Sequence, residues 1–308
     1  MNQPPSEPHR GSRRIEPGQG FVEVADRCFV ARYEFVNVNV GVVAGERGLL
    51  VVDTHASEPE ARRVVEDVRR LGLGEVVAVV NTHAHFDHAF GNAVFVDEYD
   101  GVELFAHEEA VEALPGHAAE LQAEARREAE TGEEDPRVAD IAAARIVVPD
   151  HTFSAAGVVD LGDRFVELAY LGRGHTSGDA VIAVPEAEMV FAGDLVEELT
   201  GGSEAPGFGG DCFPLDWPGT LDLLVGMLTA RTVVVPGHGN PVDRAFVESQ
   251  RGDIALVAQT ISDLAGQGVP VTDALAAGEW PFPAGTLEKA VRRGYQQLPA
   301  GARSLPMA

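Results

Sequence analysis

Residues 83–88 read His-Ala-His-Phe-Asp-His, and only Thr82 separates them from EVVAVVN (75–81), an apolar run of strand length. Neutral imidazole and carboxylate are the ligands that zinc takes. A buried strand upstream gives such a loop the rigid anchor that a precise site needs. In extended backbone, side chains 83, 85 and 87 point the same way and His88 turns to the other side. A strand-end loop of this kind can offer ligands to two neighbouring ions. Three histidines and an aspartate in six residues are poorly explained as a polar loop rich in His by chance.

Three further candidates each end an apolar strand: His175 in GRGHTSGD, Asp194 in VFAGDL and His238 in VVVPGHGNP. Taken singly, each has an ordinary explanation, because a lone His is more often hydrogen-bonded than metal-bound. Beside the His-rich loop, the three read as its partners. Glycines at 174, 193, 237 and 239 let the backbone pass close to a crowded centre.

Around these points the chain alternates strands and helices. FVNVNVGVV (35–43) sets Val36, Val38, Val40 and Val42 against Asn37 and Asn39, the period of a half-buried strand. AGERG then turns into LLVVD (49–53), which predicts a hairpin. Ser57 with Glu60 is a capping-box pattern, and Ala61, Val64, Val65, Val68 and Leu71 follow on one helical face until Gly72. VELFA (102–106) reads as a strand. Residues 108–145, rich in Ala and Glu, are expected to form one or two exposed helices in a solvated surface insertion, in preference to a cover over the site. Strands are expected at 164–171, 179–184, 189–192 and 232–235, and helices at 243–266 and 284–298. No internal repeat appears, which weighs against a solenoid. The order implies an α/β protein with mixed sheets.

Composition narrows the function. The 308 residues suffice for a substantial core without disulfides. Asp and Glu total 49 against 23 Lys and Arg, a formal charge of -26 that disfavours nucleic acid and anionic lipid as partners. A small-molecule substrate fits better. Cys28 and Cys212 form no CxxC pair, so a reducing compartment is the default. No apolar run of about 18 residues is present to span a membrane. The first 20 residues are polar, rich in Pro, Gly and Arg, and without an apolar signal core. They are expected to be a disordered tail, and the protein cytoplasmic. Oligomeric state is not legible.

With these motifs on the page, the sequence resembles the metallo-β-lactamase superfamily. THAHFDH (82–88) matches its metal motif, and GHTSGD, FAGD and VPGHG match its later motifs in the expected order. The resemblance covers about 21–245. It implies a four-layer αββα sandwich with the site at one edge of the two sheets, followed by a C-terminal helical extension over 246–308. It also implies one zinc on His83, His85 and His175, a second on Asp87, His88 and His238, and Asp194 bridging both. VVDTH (51–55) looks like a family signature in which Asp53 orients the metal loop without binding metal. Thr176 and Asp179 are weaker candidates for the same supporting role.

The implied chemistry is hydrolysis. An activated hydroxide attacks a thioester, lactone, ester or amide carbonyl, with Asp87 handling the proton. Two zinc ions per chain are expected, although iron and manganese accept the same ligands. A mononuclear iron oxidoreductase, similar to the sulfur dioxygenases, is the alternative. The chain departs from many lactamases of the family, which use Cys where Asp194 stands and place a Lys near the site. Lys289 is the only Lys here, and Arg173 is the candidate substitute. The His-Asp ligand set is shared with glyoxalase II and the lactonases.

Overall fold

Val-rich runs buried on both faces build two sheets, which the computed structural model describes over residues 14–129, 135–199 and 204–299. The first sheet holds, in spatial order, β1 (Val22–Ala25), β2 (Cys28–Arg32), β3 (Asn39–Gly45), β4 (Gly48–Val52), β5 (Val76–Val80), β6 (Glu103–His107) and β7 (His151–Phe153). It is antiparallel from β1 to β4 and parallel from β4 to β7. The second comprises β8 (Ala156–Asp160), β9 (Phe165–Tyr170), β10 (Ala180–Val184), β11 (Met189–Glu197) and β12 (Val233–His238), in spatial order β12-β11-β10-β9-β8. Its only parallel pairing is β11 with β12.

The sheets face each other across a core that includes Val30, Leu50, Val52, Val80, Leu168, Ile182, Phe191 and Val235. On the outer face of the first sheet lie α1 (Glu58–Leu71) and α3 (Asn92–Glu98), the latter preceded by the one-turn α2 (Phe86–Ala89) that follows β5. Val64, Val65 and Val68 of α1 and Phe95 of α3 are buried there against Val40, Val42, Val51 and Val79. Each such side chain contributes about 1.5–3 kcal/mol relative to exposure. Against the second sheet pack α6 (Trp217–Met227), α7 (Arg244–Gly266), α8 (Val271–Ala277) and α9 (Glu288–Gln297). The result is the expected four-layer αββα sandwich. The C-terminal helices make up its outer layer, with Ile254, Val257 and Ile261 of α7 buried against Val181, Val190 and Val234. Trp280 and Phe282 pack onto this cluster, as apolar anchors should. No described helix is long and apolar enough to cross a membrane.

Several local expectations change. The strand expected over 35–43 begins only at Asn39, because Val36 and Asn37 adopt φ of 53° and 57° in a short 3-10 turn. It is also buried on both sides, since β3 lies mid-sheet between the opposing sheet and α1. Ser57 occupies the N-cap of α1, but no capping box forms: its hydroxyl has no partner, and the Glu60 carboxylate is taken by Arg63 at 2.9 and 3.1 Å. The stretch 108–145 is more than a solvated insertion. Its helices α4 (Glu108–Ala129) and α5 (Pro136–Ala143) bury Ala110, Leu114, Ala118, Ala125 and Ile141 around Phe90. Of the expected tail, residues 1–13 lie outside the described residues, whereas Ile15 is buried and its N–H reaches Asn240 Oδ1 at 2.9 Å.

Candidate metal centre

The metal-loop residues sit where β5 leaves the first sheet. His83 and His85 follow in non-helical backbone, and His85 caps α2 at φ -69°, ψ 154°. The alternation expected through residue 87 stops there. Residues 86–89 turn into a helix, so Asp87 leaves the 83/85 face and stands beside His88. The second sheet supplies the remainder from its matching edge: His175 from the turn between β9 and β10, Asp194 from within β11, and His238 from the end of β12.

Side-chain nitrogens and oxygens of His83, His85, His175 and Asp194 lie within 4.8 Å of one another, and so do those of Asp87, His88 and His238. His85 Nδ1 is 2.8 Å from His175 Nε2. Asp194 stands between the two groups. Its Oδ2 is 3.4 Å from His175 Nε2 and 3.2 Å from His238 Nε2, and its Oδ1 is 3.3 Å from His88 Nε2. Asp87 Oδ2 is 3.3 Å from His238 Nε2 and 3.6 Å from His88 Nε2. Ligand atoms around a tetrahedral ion with bonds of about 2.0 Å stand roughly 3.3 Å apart, so this spacing fits two ions. His83 Nε2, His88 Nε2 and Asp194 Oδ1 are buried without a hydrogen-bond partner, which natural interiors rarely tolerate unless something else satisfies them. An ion would.

The opposite edges of the imidazoles are held. Asp53 Oδ2 accepts from His88 Nδ1 at 2.8 Å and from the Thr82 hydroxyl at 2.9 Å, while its Oδ1 accepts from Thr82 N–H at 2.7 Å. The Thr82 oxygen in turn receives His83 Nδ1 at 3.0 Å. One buried carboxylate thereby aims two histidines, leaving each Nε2 bare toward the centre. His238 Nδ1 donates to the Val36 carbonyl at 2.9 Å. That contact explains why a β-branched residue holds positive φ at Val36, where it is costly. Gly237 faces the Asp194 carboxylate so closely that a Cβ there would lie 1.7 Å from Oδ1.

Burial drives the His83 pKa well below its usual value and that of His175 down to about 4, favouring the neutral imidazoles that ligate metal. Burial pushes the Asp194 carboxyl upward, but His238, His88, His83 and His175 outweigh it and hold the group well below the usual range. Asp87 behaves alike, with His88 and His238 overriding its desolvation.

Thr176 and Asp179, the weaker supporting candidates, bond to each other: Asp179 accepts from Thr176 N–H at 3.0 and 2.9 Å and from its hydroxyl at 2.6 Å. They lock the turn after His175 and make no hydrogen bond to any of the seven candidate ligands. Arg173 is occupied, with its guanidinium 2.6 Å from Asp216 and over the Phe213 ring, and Lys289 is exposed on α9. Neither offers a free cation to the centre.

Two residues that the sequence did not flag touch it. Asp211 Oδ2 accepts from His85 Nε2 at 2.9 Å, and the His117 ring of α4 stacks on His85 at 4.7 Å. His85, His117 and Asp211 also form a group whose donor atoms fall within 4.8 Å. No local motif announces Asp211 or His117, because each reaches His85 only through tertiary packing.

Comparison with known proteins identifies the family. A family model described as the metallo-beta-lactamase superfamily matches residues 33–238. The chain is 25% identical over 214 residues to a Bacillus cereus protein named metallo-beta-lactamase type 2, covering 70% of this chain and 72% of that one. It is 41% identical over 63 residues to a hydroxyacylglutathione hydrolase of Gloeobacter violaceus, covering 20% and 25%. The fold superposes on a stereoselective inverting sec-alkylsulfatase from Pseudomonas sp. with a TM-score of 0.71 at 18% identity, covering 90% of this chain and 50% of that one.

Proposed function

This chain belongs to the metallo-β-lactamase superfamily and is a metallo-hydrolase of that fold, and from that premise we propose that it hydrolyses a thioester, lactone, ester or amide with two zinc ions. His83, His85 and His175 would hold one ion, Asp87, His88 and His238 the other, and Asp194 both. Zinc held there would supply an acidified water, with a pKa of about 7, and a Lewis acid for the scissile carbonyl. The observation that carries the reading is Asp194, whose Oδ2 lies 3.4 Å from His175 Nε2 of the first group and 3.2 Å from His238 Nε2 of the second, with Oδ1 3.3 Å from His88 Nε2.

The chain's own residues set the rest. Asp53 and Thr82 keep the protons of His83 and His88 on Nδ1, so that Nε2 stays free. Asp87, whose carboxylate stands 3.3 Å from His238 Nε2 and 3.6 Å from His88 Nε2, would receive and return the proton. A reducing, cytoplasmic setting suits Cys28 and Cys212, both buried and unpaired. The substrate in this reading is a small molecule, since the acidic surface repels nucleic acid.

Metal analysis of protein purified without added metal, joined to a hydrolysis panel of thioester, lactone, phosphodiester and β-lactam substrates, tests this. About two zinc per chain is expected, with His83→Ala losing both metal and turnover. An active variant free of metal refutes the scheme. About one iron per chain would move the reading to oxygen chemistry on the same ligands.

A further inference from the structure

Asp53 fixes the ring of His88, and a separate set of residues grips its backbone. The His88 carbonyl accepts the Thr54 N–H at 2.8 Å and the Asn81 side-chain amide at 2.9 Å, with the Thr54 hydroxyl 3.1 Å away. Behind them stands Asn92, the first residue of α3. Its Oδ1 accepts from the Thr54 hydroxyl at 2.8 Å and from Asn81 Nδ2 at 3.1 Å. Its Nδ2 donates to Asn81 Oδ1 at 2.7 Å and to the Val147 carbonyl at 3.0 Å. That uses everything a carboxamide can give or take. Thr54, Asn81 and Asn92 are all buried, and a fully satisfied polar network in such surroundings holds its members rigidly.

The chain bends to make this contact. Asp53 and His55, on either side of Thr54, hold φ of 66° and 73°, left-handed values that are costly for a residue with a Cβ and that collect at functional sites. Opposite them, a Cβ on Gly91 would lie 1.9 Å from the Thr54 carbonyl oxygen, and the Gly91 N–H donates to the His55 carbonyl at 3.0 Å. The turn 53–55 and the segment 88–92 are thereby zipped together around one carbonyl. None of these bonds uses an atom that would ligate metal, so the grip is the same with the ions in place.

We propose that Thr54, Asn81 and Asn92 are positioning residues that hold the backbone of His88, and with it the adjoining Asp87, so that the ligands of one ion stand in place before metal arrives. The proposal rests on the two-ion hydrolase reading of the same centre. Its signature is selectivity: loosening the network should weaken the ion on Asp87, His88 and His238 and spare the one on His83, His85 and His175, whereas a role in general stability would weaken both together.

Zinc itself is the probe, titrated into the full chain against a chromophoric chelator so that each ion has its own dissociation constant. Asn81→Ala should weaken one ion about tenfold or more and shift the other by less than about threefold. Thr54→Val, which keeps the shape and removes only the hydroxyl, should act on the same ion by about threefold, and Thr54→Ser should restore it. In a His238→Ala background, where that site is already crippled, Asn81→Ala should change the remaining affinity by less than about twofold. Two ions that weaken in step, two that keep wild-type affinity, or a Thr54→Ser variant no better than Thr54→Val overturns the proposal. Should Asn81→Ala fail to fold, the Thr54 pair decides by the same criteria. A wild type that takes up fewer than two zinc ions sinks the two-ion reading, and the proposal with it.

Discussion

Replacing Asp53 by Asn keeps the size of the side chain and changes only what it can accept, which makes it a sharp probe of how the centre is aimed. Oδ1 can still receive the Thr82 N–H, but Oδ2, which takes both the Thr82 hydroxyl and His88 Nδ1, becomes an NH2 group. That NH2 donates toward His88 Nδ1 and moves the imidazole proton to Nε2, the atom facing Asp194 at 3.3 Å. Flipping the amide instead sets its NH2 against the Thr82 N–H, donor to donor. Either way one charge-assisted hydrogen bond is lost, worth about 1.5–3 kcal/mol. At 1.4 kcal/mol per tenfold, this corresponds to roughly 10–100-fold weaker binding of the ion held with His88, in the usual range for an outer carboxylate. Competition against a chromophoric chelator, with metal counted per chain, measures it. One ion should weaken while the one on His83, His85 and His175 is held more nearly as before. An Asn variant that binds both ions with wild-type affinity would refute the claim that Asp53 sets the tautomer.

Two other outcomes follow from close contacts and burial. Gly237→Ala should strip metal even though it lies on no ligand, because its Cβ would sit 1.7 Å from Asp194 Oδ1 and 3.1 Å from the Asp194 backbone nitrogen, which has little room to retreat; elemental analysis of the purified variant checks this. Burial pushes the thiols of Cys28 and Cys212 from 9.0 up to about 12, so alkylation of the native chain near pH 8 should be about 1000-fold slower than in denaturant, as mass spectrometry can follow. Because the folded state keeps these protons longer than the unfolded one, the same shift adds stability that is intact below pH 9 and lost as pH climbs toward 12, visible as a falling Tm.

The parts of this centre that could be read from the chain are those written in consecutive residues or at strand ends. His83, His85, Asp87 and His88 announce themselves through local spacing, and His175, Asp194 and His238 through apolar runs that stop at a ligand type. What stayed hidden depends on long-range approach. The Val36–Asn37 kink obeys no local propensity and makes sense only once His238, 202 residues away, needs an acceptor for Nδ1. The alternation in 35–43 suggested one wet face, yet Asn39 is polar because Pro236 and Gly239 present carbonyls to it at 2.8 Å each. Asp211 meets His85 across 126 positions. The capping box failed for a local reason: Arg63, three residues on, takes the Glu60 carboxylate, with His55 Nε2 3.8 Å from it.

The seven candidate ligands are divided between the two sheets, four on the first and three on the second. Neither half of the sandwich can build a complete binding set by itself. A polypeptide emerging in order would present its first imidazoles long before β12 arrives, so high-affinity zinc uptake should report that the two halves have docked. Bound ions would then rivet one rim of the sandwich, and chelation should loosen that rim first, letting the amides at the ends of β5, β11 and β12 exchange with solvent before those at the opposite end of the sheets.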